Sequence, residues 1–187
     1  MMVAIAEMIR IGKKLGQLKL IDGASGNMSC RIGDRIVITK TGALLDELTP
    51  QDFVILRVGE NSKKASSDLI VHNAIYERTD HKAVLHCHGI YNVVLSFVLD
   101  EIVPMDLEGK LFLGKIPIVE GEFKSRELAE KIAEEVTRNG IVVVRGHGIY
   151  SAGMDIYEAF NRACYLEHSC EIIYKLRTIS KANGEEA

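Results

Sequence analysis

No stretch of the 187-residue chain is apolar for long enough to cross a bilayer. The longest runs, such as Ile141 to Val144 and Val93 to Leu99, fall far short of the roughly 20 residues a membrane helix needs. Positive charge is also scarce. With 23 Lys and Arg against 26 Asp and Glu the formal net charge is −3, which argues against a nucleic-acid backbone or an anionic membrane as partner. Four cysteines (Cys30, Cys87, Cys164, Cys170) form no CxxC pair, so they read as free thiols in a reducing compartment. The N-terminal segment interleaves Glu7, Arg10, Lys13 and Lys14 with its apolar residues and has no signal-peptide core. A soluble, cytoplasmic protein is expected. Repeats, low-complexity tracts and Pro- or Gly-rich linkers are missing too, so residues 1–182 are expected to form one domain and 183–187 a frayed tail.

What is present is a regular alternation of helical and extended patterns. Met2 to Leu18 carries Ile5, Met8, Ile9 and Leu15 at helical spacing ahead of a Gly23–Asn27 turn. Arg35 to Thr39 and Phe53 to Val58 read as strands, Leu69 to Arg78 as a helix, Ala83 to Cys87 and Ile116 to Val119 as strands. Ser125 can cap a helix whose stripe is Leu128, Ala129, Ile132, Ala133 and Val136 and which stops at Asn139-Gly140. Ile141 to Arg145 then reads as a buried strand, Gly146-His147-Gly148 as a turn, and Asp155 onward as a long helix. This order predicts a layered α/β architecture.

The chemistry concentrates in the histidines. His86-Cys87-His88 ends a strand, and residues i and i+2 of an extended segment project to one face, so both imidazoles can meet one ion while Cys87 points away. His147 ends another apolar strand between two glycines that allow a sharp turn. Three imidazoles leave a coordination position open, as in a catalytic zinc site. His81 and His168 have no such context. His72, four residues after Asp68 on a helix, can share its face and is expected to orient or pack.

A second constellation is built of small polar residues. Ser25-Gly26-Asn27-Met28-Ser29, Thr39-Lys40-Thr41-Gly42 and Ser66-Ser67 read as three turns able to offer N–H groups and hydroxyls to an oxyanion.

Taken in order, DGASGNMS (Asp22 to Ser29), ITKTG (Ile38 to Gly42), SSDLIVHNAIY (Ser66 to Tyr76), VLHCH (Val84 to His88) and RGHGIYSAG (Arg145 to Gly153) resemble the class II aldolase and adducin-head family. The resemblance implies a three-layer α/β/α sandwich with a largely antiparallel central sheet, assembled as a homotetramer with active sites at subunit interfaces. It implies that His86, His88 and His147 hold Zn2+ or another divalent metal, and that Gly26, Asn27, Thr41, Gly42, Ser66 and Ser67 cradle a phosphate. Asp68 falls where the aldolases carry an acid/base glutamate that also approaches the metal when no substrate is bound.

The function so implied is that of a metal-dependent lyase acting on a small phosphorylated sugar. It would cleave a ketose 1-phosphate such as L-fuculose 1-phosphate into dihydroxyacetone phosphate and a small aldehyde, through an enediolate that the metal stabilises. The family also implies alternatives: an L-ribulose-5-phosphate 4-epimerase-like enzyme, a sugar-phosphate dehydratase or decarboxylase, and an adducin-like binding module without catalysis. The last is expected to lose the metal histidines, and this chain keeps all three. Two features depart from the aldolase pattern. Asp68 is one methylene shorter than glutamate, and the Pro104–Gly114 segment offers Asp106 and Glu108 where the aldolases place a tyrosine proton donor. No tyrosine follows Tyr174 to match the epimerase branch.

Overall fold

The structure, a computed structural model, describes residues 1–183. Its elements in chain order are α1 (Met2–Gln17), β1 (Asn27–Ile32), β2 (Arg35–Thr39), β3 (Phe53–Arg57), α2 (Leu69–Arg78), β4 (Ala83–Cys87), α3 (Ile90–Ser96) and β5 (Glu101–Ile102). There follow α4 (Leu107–Phe112), β6 (Ile116–Val119), α5 (Arg126–Asn139), β7 (Ile141–Val144), β8 (Gly148–Gly153) and α6 (Ile156–Ala182). Of the tail expected at 183–187, Asn183 caps α6 and the remainder lies outside the described residues.

The helix boundaries follow local chemistry. Ser125 Oγ accepts from the Leu128 N–H at 3.0 Å to open α5, and Gly140, in the left-handed region at φ 71°, closes it. Asp155 opens α6 by accepting from the Glu158 N–H at 2.8 Å. At the other end of α2, Arg31 donates to the carbonyls of Tyr76 and Thr79, satisfying acceptors a helix C-terminus leaves open.

The eight strands run in the order β3-β2-β1-β4-β8-β7-β6-β5. Among the described residues six neighbouring pairs are antiparallel and one, β6 with β7, is parallel. The sheet is therefore mixed, antiparallel where the histidines lie. Alternate strand residues enter two separate clusters. Val37, Leu85, Cys87 and Val143 join α1 and α6 in one, whereas Ile38, Val84 and Val142 join α2 and α5 in the other. A one-residue slip would exchange these sets and so mismatch both helix-covered faces.

One expectation fails here. Ser25 to Ser29 does not form a turn throughout: from Asn27 the chain is strand β1, with Asn27, Met28, Ser29 and Cys30 all buried. The polar residues occur in a central strand because they are hydrogen-bonded inside it, so their composition mimics a loop. Gly26 supplies the change of direction at φ 78°, and a Cβ there would stand 2.8 Å from the His86 carbonyl oxygen.

Gly42 also has a positive φ, 73°, but its Cβ would meet open space. Gly42→Ala is thus expected to cost about 1–2 kcal/mol, from the backbone conformation alone. Gly26→Ala should cost at least about 1 kcal/mol more, a difference that urea unfolding of the two variants checks.

Candidate active site

Strand β4 carries the first histidine into the middle of the sheet. In register, His86 lies opposite Asn27 of β1 on one side and Tyr150 of β8 on the other. Its Nδ1 donates to the Ile149 carbonyl at 2.8 Å, which leaves an unprotonated Nε2 facing the Nε2 of His88 at 2.8 Å. His88 follows the strand, and its Nδ1 lies 3.6 Å from Asp22 Oδ1. The next turn is anchored from α6: the Glu167 carboxylate accepts from the Tyr91 and Asn92 N–H groups at the start of α3. His147 arrives from the β7–β8 connection. A Cβ at the following residue, Gly148, would lie 2.4 Å from the Cys87 carbonyl oxygen, so only glycine lets β8 approach this closely.

The three histidines offer ligand atoms all within 4.8 Å of one another. Burial lowers the pKa of each, furthest for His86, where Asp68 opposes the effect and the other two rings reinforce it. The rings are therefore neutral at pH 7, with lone pairs available. His147 Nε2 is buried without a hydrogen-bond partner, an arrangement that costs free energy unless something fills it. Neutral imidazoles, one tautomer fixed by a backbone carbonyl and one buried nitrogen unpaired, together form a donor set that fits a divalent metal ion.

Beside this cluster lies Asp68, 4% exposed, with Oδ2 at 3.7 Å from His86 Nε2. Burial disfavours its ionised form. The attraction of His86 in its protonated form outweighs this, together with the donors on Oδ2, Asn27 Nδ2 at 2.8 Å and Tyr150 Oη at 2.9 Å, so its pKa is lowered. A chain of buried hydrogen bonds stands behind Asn27. Its Oδ1 lies 2.6 Å from His72 Nε2, His72 Nδ1 lies 2.6 Å from Ser29 Oγ, and Ser29 Oγ lies 2.7 Å from Tyr76 Oη. Because Asn27 donates to Asp68, its Oδ1 must accept, which places the His72 proton on Nε2 and makes Ser29 the donor to Nδ1. Burial lowers the His72 pKa to about 4, so that tautomer persists at neutral pH.

The proposed anion site divides. Thr41, Ser66, Ser67 and Lys63 line a cavity of about 540 Å³ at the start of α2, where helix N–H groups favour an anion. An isolated bridge between Lys40 and Ala65 holds the two loops together, and Gly42 makes the turn beside Thr41 at φ 73°. Gly26 and Asn27 stand elsewhere, Gly26 against the His86 backbone and Asn27 committed to Asp68 and His72. Asp106 caps α4 through the Gly109 N–H, and Glu108 is exposed. Tyr150 escaped the sequence reading, since its place follows only from the β4–β8 register. Tyr76 escaped it too, because only the packing of α2 on the sheet brings its hydroxyl to Ser29. Lys63 carried a weak signal, a cation beside Ser66-Ser67.

Three clustered imidazoles, a buried carboxylate beside them and a hydroxyl-lined cavity on a mixed sheet define the class: an α/β protein with a candidate metal centre. The chain belongs to the family described as Class II Aldolase and Adducin N-terminal domain, whose profile matches residues 6–174. It is 32% identical to an L-fuculose phosphate aldolase of Methanocaldococcus jannaschii over 89% of this chain and 93% of that protein. It is 28% identical to a methylthioribulose-1-phosphate dehydratase of Methylococcus capsulatus, over 94% and 95%. Among solved structures, the L-fuculose-1-phosphate aldolase of Thermus thermophilus superposes with a TM-score of 0.93 at 30% identity, covering 96% of both chains. No helix of the described residues is long and apolar enough to cross a membrane.

Changing His86, His88 or His147 to Ala is expected to remove stoichiometric metal, read by elemental analysis of purified protein; full occupancy in any variant would refute that ligand. A second expectation concerns pH. His72 has a folded pKa of about 4 against an ordinary 6.5. The unfolded chain therefore binds the extra proton between those values, and metal-free protein should lose up to about 1.4 kcal/mol per pH unit through this group as pH falls from 6.5 toward 4. His72→Gln should flatten that part of the profile in urea unfolding.

Proposed function

We propose that this chain is a zinc-dependent lyase that cleaves a ketose 1-phosphate, with L-fuculose 1-phosphate the first candidate, into dihydroxyacetone phosphate and a small aldehyde. The observation that carries the reading is the buried Asp68 carboxylate 3.7 Å from His86, next in the chain to Ser66 and Ser67 of the cavity lining. A divalent ion held by His86, His88 and His147 supplies Lewis acidity to an electron-rich substrate oxygen. Zinc suits an all-imidazole set. Thr41, Gly42, Ser66, Ser67 and Lys63 hold the phosphate and so fix the register of the substrate. Asp68 takes and returns the proton at the carbon next to the carbonyl. Gly26 and Asn27 shape the Asp68 side of the site.

The assembly we propose is a homotetramer with the sites at subunit interfaces. Support comes from the segment after His88, which leaves Ile90, Phe97, Val98, Leu107 and Leu111 largely exposed, an apolar density typical of surfaces covered by a partner. The two helix-bearing faces of the sheet support a three-layer α/β/α arrangement, and four unpaired thiols suit a cytoplasmic setting. A second reading, a sugar-phosphate dehydratase, is supported by the 28% identical methylthioribulose-1-phosphate dehydratase.

The test is release of dihydroxyacetone phosphate from L-fuculose 1-phosphate and related ketose 1-phosphates, with and without chelator. Chelator-sensitive release is expected, and Asp68→Asn should keep zinc while losing at least about a hundredfold in rate. Absence of release by fully zinc-loaded protein would overturn the aldolase reading in favour of the dehydratase.

A further inference from the structure

Tyr150 makes two contacts in the site that nothing in the proposed chemistry uses. Its ring lies nearly flat on that of His86, with centroids 4.0 Å apart and planes at 7°. Its hydroxyl donates to Asp68 Oδ2 at 2.9 Å. The same oxygen receives Asn27 Nδ2 at 2.8 Å, whereas Oδ1 accepts no hydrogen bond among the described residues. A carboxylate held by two donors on one oxygen cannot rotate freely, because rotation would leave both buried donors unpaired.

We propose that Tyr150 is a positioning residue: with Asn27 it clamps Asp68 by Oδ2, so that Oδ1 alone is presented to the substrate carbon. This inference rests on the reading of Asp68 as the group that moves the proton. It also accounts for how aspartate serves where a longer carboxylate would otherwise be required. The tyrosine hydroxyl reaches across from β8 to 2.9 Å from Oδ2, so a carboxylate one methylene longer would have to displace it. Asp68 and Tyr150 then act as a matched pair, and neither changes alone without loss.

The experiment is proton exchange on dihydroxyacetone phosphate in heavy water, followed by NMR, together with visible absorption of the cobalt(II)-loaded proteins. Tyr150→Phe keeps the ring, and therefore the stacking on His86. It should lower kcat for exchange by about ten- to a hundredfold, since misplacement of about 1 Å costs that much, with KM and metal content unchanged. Asp68→Glu in the native background should lose at least as much, because the longer side chain meets the Tyr150 hydroxyl. The Asp68→Glu, Tyr150→Phe double variant should regain at least about tenfold over Asp68→Glu alone, a coupling that a merely structural tyrosine would not give. An unchanged kcat for Tyr150→Phe, or losses that simply multiply, would overturn the proposal.

The cobalt spectrum separates this inference from the function on which it rests. Removing one anchor frees Oδ2 to move toward the ion, so the spectrum of Tyr150→Phe should differ from the native one, and that difference should vanish in the Asp68→Asn background. Identical native and Tyr150→Phe spectra would overturn the clamp. Native protein that exchanges no proton while its spectrum responds to Tyr150→Phe would count against the aldolase reading and leave the clamp standing.

Discussion

Strand β4 lies between β1 and β8 with His86 opposite Asn27 and Tyr150, and the site depends on that register. Side chains of adjacent strands that share a register position share a face. The pairing therefore delivers an amide donor and a phenol donor to the same side of the sheet as the imidazole, and α2 brings Asp68 down between them. A displacement of β4 by one residue would point Cys87 into the site and His86 into the α6 cluster. The apolar contacts that hold Leu85 and Cys87 on the other face thus set the geometry of the ligands.

The buried hydrogen-bond chain shows how polarity is tolerated in such a place. Tyr76, Ser29, His72, Asn27 and Asp68 are each enclosed, yet each finds its partner in the next. The carboxylate fixes the direction of donation, which runs inward to it, from Ser29 to the imidazole, from the imidazole to the amide and from the amide to Asp68. Only the terminal group carries charge, so a single ion is desolvated where five polar side chains are buried.

Much of this was legible in the sequence where the signal is local. The His-x-His doublet follows from the two-residue period of a strand, and α5 from its Ser125 cap, its stripe and its Gly140 stop. The family motifs named the histidines, Asp68 and the Ser66-Ser67 loop. What could not be read was non-local. Asn27 and Ser29 looked like turn residues because composition does not reveal that β1 has strands on both sides. Tyr150 carried no signal of its own, because its place beside His86 depends on β8 lying opposite β4. His72 was placed on the face of Asp68 by its spacing, but its partner Asn27 lies 45 positions away in the chain.

Gly148 has a consequence for how a protein of this architecture can diversify. Any side chain there would collide with the Cys87 backbone and push His147 away from the other two imidazoles, so the centre tolerates no gradual adjustment. Variation is channelled to the rim, to exposed segments such as the one that carries Phe123, whose ring centroid lies 5.3 Å from that of His147. A lineage can exchange one substrate for another by rewriting such segments while the strands that carry the histidines stay invariant. Relatives with one such centre and different reactions are the expected product of that division between a frozen middle and a plastic edge.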